Sequence, residues 1–296
     1  MNGLLIVNKP PGVTSHDVVA KVRKLTGESS VGHLGTLDPM ATGVLPLLLG
    51  RFTRLAQFFQ KDGKRYTGAI RFGFATDTYD ADGAPVGDCV HPQLALEEIR
   101  KLAECFHGEI EQMPPPFSAK KLQGVPAYKL ARQGKPVELR PARIEVRQFE
   151  ILDYDPPNAS FAVDVSSGSY VRSIAHDLGR QAGCGAHLAS LCRVQTGEFR
   201  LEQAATLEQI AEWIQDGTLE EHMPHPRRLL PQMPSVTVDV GMAIHLKNGM
   251  ARNLPDYSAA PFIKIFTNQR ELFAIGRRIA GTLMQPMVVL GQCGEH

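Results

Sequence analysis

A single carboxylate, Asp38, lies in a glycine-rich segment, residues 31–46, that contains no other acidic residue. Gly35 and Gly43 stand on either side of it, and Pro39 follows it directly. Glycine permits backbone conformations and close contacts that a side chain would prevent, and proline disfavours the helical region for the residue before it. The segment is therefore predicted to be a shaped loop that presents one acid, as an enzyme presents a nucleophile or a general base.

The Asp-Pro pair also has a structural interpretation. An Asp in this position is typical of a turn in which the carboxylate accepts hydrogen bonds from nearby backbone amides. His33, five residues before Asp38, favours the catalytic interpretation because it adds a titratable aromatic ring beside the acid. Spacing alone leaves both interpretations open.

Signatures of several other kinds of chemistry are missing from the sequence. It has no Gly-x-Ser-x-Gly nucleophile elbow, no phosphate loop ending in Gly-Lys-Ser/Thr, and no dinucleotide fingerprint after a predicted strand. Asp77, Asp80 and Asp82 supply too few oxygen ligands for a calcium loop. We therefore expect a site without a cofactor or a metal. The remaining candidates for such a site are Asp38, His33, Tyr66, Asp80, Tyr170 and Arg172.

Hydrophobic periodicity predicts the elements that would position these side chains. Leu4–Val7 is predicted to be a buried strand and Lys64–Phe74 a strand that carries Tyr66, whereas Ser169–Ala182 is predicted to begin as a strand and become helical near Ile174. Pro224–Pro234 contains four prolines and predicts a linker. We therefore expect a catalytic domain over residues 1–234, with a basic insertion at about 113–140, and a small β-rich module over 235–296.

Charge and cysteine content restrict the class of protein. The net charge is only +1, but residues 118–147 hold eight Lys or Arg against two Asp or Glu, which predicts a local basic surface suited to nucleic acid. The five cysteines are an odd number without paired short spacing, which favours a reducing cytoplasm over a disulfide framework. The apolar runs are too short to cross a bilayer.

Several long segments resemble the bacterial TruB-type tRNA pseudouridine-55 synthases. The resemblance covers about residues 4–200 in the same order, and the C-terminal module resembles a PUA-type RNA-binding domain by its position. The family implies an α+β fold, in which a mixed, mostly antiparallel sheet has flanking helices. The segments that carry the resemblance are Asn8–Asp17, Gly32–Pro46, Thr76–Gly83, Gln112–Glu138 and Gly168–Ser173.

The resemblance implies an activity and three catalytic residues. Such enzymes convert one uridine of the tRNA T loop to pseudouridine without a cofactor, by breaking the N1–C1′ bond and rejoining the base through C5. Asp38 would be the catalytic aspartate, Tyr66 would stack on the uracil near C5, and Arg172 would orient Asp38 and favour its ionised form.

The resemblance also implies residues that bind the substrate. Asp80 and Tyr170 would support the pocket, Leu191 would pack on the base, and His33 would stack on T-loop bases, while Lys9 with Pro10 would brace the catalytic loop. Contacts to the RNA backbone are expected from Lys120, Lys121, Lys129, Arg132 and Arg193. Cys192 departs from the family, in which basic residues are frequent at this position, so fewer phosphate contacts are expected there.

Three alternatives predict different behaviour. A guide-RNA-dependent pseudouridine synthase shares the Asp38 loop but needs partner proteins, whereas the segments 76–83 and 113–138 favour an enzyme that acts alone, as a monomer, on the tRNA T arm. An RNA-binding chaperone without essential catalysis would not need an intact catalytic loop, although folding of tRNA is expected to accompany catalysis. A small-molecule enzyme would leave the basic insertion unexplained.

Overall fold

The computed structural model describes residues 1–117 and 139–291, together with the backbone of residues 121–122 and 125–126. The described helices are α1 (Ser15–Thr26), α2 (Ala56–Phe59), α3 (Leu96–Glu104), α4 (Val171–Gln181), α5 (Leu207–Gln215) and α6 (Val240–Lys247). The described strands are β1 (Gly3–Lys9), β2 (Val31–His33), β3 (Thr42–Leu49), β4 (Lys64–Phe72), β5 (Ala75–Thr76), β6 (Pro85–Val86), β7 (Gly108–Gln112), β8 (Lys121–Leu122), β9 (Val125–Pro126), β10 (Ala142–Asp155), β11 (Asn158–Val165), β12 (Ala186–Thr196), β13 (Phe199–Arg200), β14 (Ser235–Thr237), β15 (Arg252–Asn253), β16 (Phe262–Phe266), β17 (Leu272–Ala280) and β18 (Leu283–Val289).

One mixed sheet forms the centre of the molecule. Within the described residues it has nine strands, in the order β1-β3-β12-β4-β11-β10-β7, with β2 beside β3 and β13 beside β12. All pairs are antiparallel except β3 with β12, which pair in parallel at Cys192–Thr42 and Arg193–Gly43. The predicted α+β fold with a mostly antiparallel sheet is confirmed.

Strand β1 shows why this sheet is covered on both faces. Leu5 and Val7 belong to one hydrophobic cluster, which also contains buried side chains from α1, α3, α4 and α5. Leu4 and Ile6 point the other way and belong to a second cluster with residues of the C-terminal sheet. Because side chains alternate across a strand, a strand that is buried on both faces must be apolar throughout. This explains the apolar start of the chain.

Helix α4 begins earlier than the sequence predicts. It starts at Val171 rather than near Ile174, with Tyr170 as its N-cap residue. The β-branched and aromatic side chains at this point favour a strand, but the Gln112 side chain binds both backbone groups of Tyr170 and fixes the start of the helix. A tertiary contact therefore overrides the local preference.

The C-terminal residues form a second sheet, in the order β14-β16-β17-β18-β15, with the short helix α6 beside it. The proline-rich segment before it, residues 224–234, is hydrogen-bonded to this sheet. Nζ of the buried Lys264 donates to the carbonyl oxygens of Arg227 and Leu229 at 2.7 and 2.6 Å. Arg51 binds the carbonyl oxygens of Leu290 and Gly291.

No helix in the described part of the chain is long and apolar enough to cross a membrane.

Candidate active site

The loop that carries Asp38 joins β2 to β3 and is fixed from both sides. Ser15, at the start of α1, donates to the Leu37 carbonyl oxygen at 3.1 Å and accepts from the Leu37 amide at 2.9 Å. At the other end, a β carbon on Gly43 would lie 2.3 Å from the Arg193 carbonyl oxygen, so only glycine allows β3 and β12 to approach this closely. The position of Asp38 is therefore set by backbone contacts with two neighbouring elements.

Lys9 braces the same loop from beneath. Its side chain is fully buried, and Nζ donates to the carbonyl oxygens of Pro10, Pro39 and Ala41 at 2.9, 3.1 and 2.7 Å. Burial lowers the pKa of Lys9 to about 8, while the nearby Asp38 carboxylate opposes that shift. Lys9 is thus placed to hold the loop and not to touch a substrate directly.

The Asp38 carboxylate meets the guanidinium of Arg172 side by side. Nε of Arg172 lies 2.9 Å from Oδ2, and Nη2 donates to Oδ1 at 3.0 Å. An Asp that served only to cap a turn would use its oxygens on nearby amides, whereas here both oxygens face a residue of helix α4. This contact favours the catalytic interpretation of Asp38 over the turn interpretation.

A second carboxylate fixes Arg172 from behind. Nη1 of Arg172 lies 3.2 Å from Oδ2 of Asp80 and donates to the Thr78 carbonyl oxygen at 3.0 Å. Oδ1 of Asp80 accepts from the Thr78 hydroxyl at 2.6 Å, and the Tyr79 ring stacks on His176 of α4 with ring centroids 3.8 Å apart. The acidic turn after β5 is therefore attached to α4, and it presents Arg172 to Asp38 in one orientation.

The surroundings of Asp38 make its ionised form costly. Burial at the floor of the pocket raises the pKa of the Asp38 carboxyl, Arg172 opposes that rise, and the Asp80 carboxylate adds to it. A third of the Asp38 side chain nevertheless stays exposed, against 6% for each of Arg172 and Asp80. Asp38 is thus the member of this triad that a substrate can reach.

Tyr66 and Leu191 form the wall above Asp38. Tyr66 on β4 is 6% exposed and Leu191 on β12 is 7% exposed, and both line the same cavity as Asp38 and Arg172. Burial raises the pKa of the Tyr66 hydroxyl, and the guanidinium of Arg193, its cross-strand neighbour, opposes the rise. An apolar wall with one aromatic ring suits a flat base.

His33 lies at the end of β2, on the rim of the same cavity. Burial lowers the pKa of His33, and the neighbouring positive charges of His16 and Arg193 lower it further. The two histidine rings meet edge to face with centroids 5.9 Å apart. A histidine that stays neutral near pH 7 is suited to stacking on a base rather than to binding a phosphate.

Two residues of the site, Gln112 and Lys64, could not be recognised from the sequence. Gln112, at the end of β7, donates to the Tyr170 carbonyl oxygen at 3.0 Å and accepts from the Tyr170 amide at 2.8 Å. Lys64, at the start of β4, lines the cavity beside Gly35. A buried glutamine that satisfies a distant backbone pair can be recognised only once the strands are assembled, because Gln112 and Tyr170 are 58 residues apart.

Arg193 corrects one expectation. It was predicted to contact the RNA backbone, but it is fully buried, and its guanidinium donates to the carbonyl oxygens of Val44 and Gly35 at 2.7 and 3.1 Å. The reason is its register on β12, opposite Tyr66 and beside Gly43, in the interior of the sheet. The other predicted backbone contacts, Lys120, Lys121, Lys129 and Arg132, have side chains that lie outside the described residues.

The candidate site is a cavity of about 710 Å³. Asp38, Arg172, Tyr66 and Leu191 line it at one end, and Tyr170 and Gly168 line it on the side of α4. In the described part of the chain, no group of three or more His, Cys, Asp or Glu side chains could hold a metal ion. The arrangement offers one accessible carboxylate, a cation that orients it, and two apolar faces for a planar ring.

Comparison with known proteins identifies the family. Residues 23–171 match the model for the N-terminal domain of the TruB family pseudouridylate synthases, and residues 172–234 match the model for the tRNA pseudouridylate synthase B C-terminal domain. A tRNA pseudouridine synthase B of Solibacter usitatus is 44% identical over 98% of this chain and its own full length. That of Aquifex aeolicus is 38% identical over 96% of this chain and 98% of its own.

Solved structures with the same fold extend the similarity to the C-terminal sheet. An H/ACA RNP bound to a substrate RNA containing 2′-deoxyuridine matches with a TM-score of 0.71 and 25% identity, over 98% of this chain and 86% of that one. A Cbf5-Nop10-Gar1 complex matches with the same TM-score and identity, over 98% and 85%. The chain belongs to the TruB family of pseudouridylate synthases and is an isomerase of that class.

Proposed function

We propose that this protein isomerises the T-loop uridine at position 55 of tRNA to pseudouridine, with Asp38 as the nucleophile or base that reacts with the substrate. The observation that carries the proposal is the accessible Asp38 carboxylate held side by side against Arg172 at the floor of the cavity. The names of the curated relatives support a tRNA substrate.

The reaction exchanges one bond of the nucleoside for another. The N1–C1′ bond breaks, the uracil turns, the C5–C1′ bond forms, C5 loses a proton and N1 gains one. Asp38 can serve this exchange by adding to C6, by attacking C1′, or by removing a C2′ proton to give a glycal. Each route needs an ionised carboxylate beside the reacting nucleoside, and the Arg172 guanidinium favours that ionised form.

The base must leave its stack before the enzyme can reach its glycosidic carbon. The rings of Tyr66 and His33 face the cavity and can replace the lost stacking, at about 1–3 kcal/mol per base. Leu191 would contact the base from another side, and Tyr170 would close the pocket at the start of α4. The pocket therefore suits a pyrimidine that has been turned out of a loop.

The remainder of the chain supplies contacts to a larger RNA. The basic insertion at about 113–140 would reach phosphates of the T arm through Lys120, Lys121, Lys129 and Arg132, which is the main source of affinity for nucleic acid. We assign residues 1–234 to the catalytic domain and 235–296 to a PUA-like RNA-binding domain. The enzyme would act as a monomer without a cofactor or an obligatory protein partner, in the cytoplasm.

Asp38→Asn tests the assignment of the nucleophile. We expect release of tritium from [5-³H]uridine-labelled T-arm RNA to be abolished, while the dissociation constant for the same RNA stays within about threefold, because the substitution removes the reacting charge and little of the surface. Asp88→Asn is the matched control, since Asp88 is exposed and distant from the cavity in sequence. Normal tritium release by Asp38→Asn would disprove the role.

A bare T-arm hairpin separates this function from guide-RNA-dependent modification. The purified chain is expected to modify the hairpin without any guide RNA or added protein, whereas a guide-dependent enzyme would leave it unchanged.

Asp38→Asn also separates catalysis from the accompanying tRNA-folding activity that we propose. The variant is expected to fold misfolded tRNA as the wild type does. Loss of folding activity in this variant, with binding intact, would contradict that second activity.

A further inference from the structure

Lys64 is a charged group in the cavity that the proposed chemistry does not use. It opens strand β4 two residues before Tyr66, it is half-buried, and it lines the same cavity as Asp38. Its Nζ donates to the main-chain carbonyl oxygen of Asp62 at 3.0 Å and forms no ion pair with a described carboxylate. A partly buried ammonium without a carboxylate partner calls for an anion from elsewhere.

The surroundings of Lys64 add positive charge. A β carbon on Gly35 would lie 3.3 Å from Cε of Lys64 and 3.5 Å from Nη1 of Arg193, so the two cations flank the same point of the catalytic loop. Arg193 is fully buried and binds main-chain carbonyls. The pKa of Lys64 is lowered to about 8, mainly by burial and also by the Arg193 charge, while the Asp62 carboxyl opposes the shift.

The carboxylates of the site do not neutralise this pair. Asp38 and Asp80 are both engaged by Arg172. Lys64 binds the main-chain carbonyl oxygen of Asp62 and forms no ion pair with the Asp62 carboxylate. The end of the cavity formed by His33, Gly35 and Lys64 therefore holds an ammonium that pairs with no described carboxylate, beside a site that accepts a base.

We infer that Lys64 binds a phosphodiester next to the target uridine. The inference rests on the proposed function and adds a substrate contact to it. A base placed between Tyr66 and Leu191 brings its own flanking phosphates within a few ångströms of the cavity, and phosphate is the anion that RNA supplies. Lys64 would then hold the backbone on one side of the turned-out nucleotide while Arg172 and Asp38 act on the other.

The test replaces single phosphodiesters of T-arm RNA by neutral methylphosphonates, at the linkages on the 5′ and 3′ sides of the target and at a distant stem linkage. Single-turnover rates measured against enzyme concentration give the half-saturating concentration and the rate at saturation. On unmodified RNA we expect Lys64→Met to raise the half-saturating concentration about tenfold and to reduce the slope of log affinity against log salt by about 0.7–1. The rate at saturation should change by less than about threefold.

The neutral linkages locate the contact. A methylphosphonate at one of the two flanking linkages should weaken wild-type binding and abolish the difference in half-saturating concentration between wild type and Lys64→Met. The methylphosphonate in the stem should leave that difference intact. Lys64→Arg should restore most of the affinity. Lys61→Met is the matched control, because Lys61 lies three residues away and is exposed.

Two outcomes would overturn the inference. One is a wild-type affinity that neither flanking methylphosphonate changes, a measurement that does not require the Lys64→Met variant to fold. The other is a Lys64→Met penalty that stays the same on all the RNAs. Tritium release by the wild type on unmodified RNA is the independent check: release without any effect at Lys64 rejects only the phosphodiester contact, whereas no release rejects the proposed function.

Discussion

Arg172 lies with Nε and Nη2 at 2.9 and 3.0 Å from the two carboxylate oxygens of Asp38, although 134 residues separate the two in sequence. Nη2 donates a hydrogen bond to Oδ1, and Nε faces Oδ2 at ion-pair distance, so both carboxylate oxygens meet the same guanidinium. Arg172 is buried and held by Asp80, whereas Asp38 stays partly exposed. The pair thus orients an accessible acid by means of an inaccessible cation.

Replacement of Arg172 by Lys should lower kcat/KM by about 100-fold, because a single ammonium cannot hold both oxygens and a displacement of about 1 Å at a reacting group has a cost of this order. Single-turnover tritium release measures the loss. Arg180→Lys is the control on the same helix, since Arg180 is 75% exposed. Equal activity of Arg172→Lys and wild type would show that the side-by-side geometry is not required.

The activity should depend on pH through Asp38. Its pKa is raised above the ordinary value of 3.8 by burial, and the proposed reaction needs its ionised form. The acid limb of kcat/KM is therefore expected above pH 3.8, with activity lost as the pH falls through the pKa in the folded enzyme. A pH–rate profile on T-arm RNA checks this, and an acid limb at or below 3.8 would contradict it.

The same shift predicts a pH-dependent stability difference. Because the folded enzyme holds the Asp38 proton more tightly than the unfolded chain does, the stability that this group contributes is present below pH 3.8 and is lost as the pH rises through the raised pKa. Asp38→Asn stays neutral, so its Tm should rise relative to the wild type as the pH increases to 7. Thermal unfolding of both proteins from pH 4 to 7 measures this, with Asp88→Asn as the control.

Lys9→Met should lower kcat more than it changes KM. The substitution removes the donor to the carbonyl oxygens of Pro10, Pro39 and Ala41, and the loop that positions Asp38 would lose its support. Leaving such a buried acceptor unsatisfied costs about 1–3 kcal/mol, so the free energy of unfolding should also fall. Urea unfolding and steady-state kinetics measure the two effects.

The exposed Lys24, which lies on helix α1, provides the control for Lys9 as Lys24→Met. If Lys9→Met raised KM with kcat unchanged, Lys9 would act on substrate binding and the bracing role would be wrong.

Gln112→Leu should reduce both stability and turnover. The Tyr170 amide and carbonyl would each lose a partner, at about 1–3 kcal/mol for each group left unsatisfied. The start of α4 would loosen, and Arg172 with it. Gln112→Glu, which retains the acceptor for the Tyr170 amide, should give a smaller loss. Glu111→Gln, at an exposed neighbouring position, is the control for both measurements.

The loop that carries Asp38 and the overall fold class can be predicted from the sequence because their signals are local. One acid between glycines and before a proline specifies a shaped loop within residues 31–46. The apolar start of the chain and the periodicity of the strands depend only on which side chains face the core. The resemblance over about residues 4–200 associates Asp38, Tyr66 and Arg172 with one reaction independently of their geometry.

The tertiary structure decided what depends on pairing between distant strands. The register of β12 buries Arg193 and removes it from the expected RNA contacts, and the Gln112 side chain starts α4 at Val171. The local sequence does not predict either contact, because the residue type alone does not show whether an arginine on a strand faces solvent or the core. The contact between Asp38 and Arg172, which favours a catalytic acid over a turn residue, likewise appears only in the fold, because 134 residues separate the two along the chain.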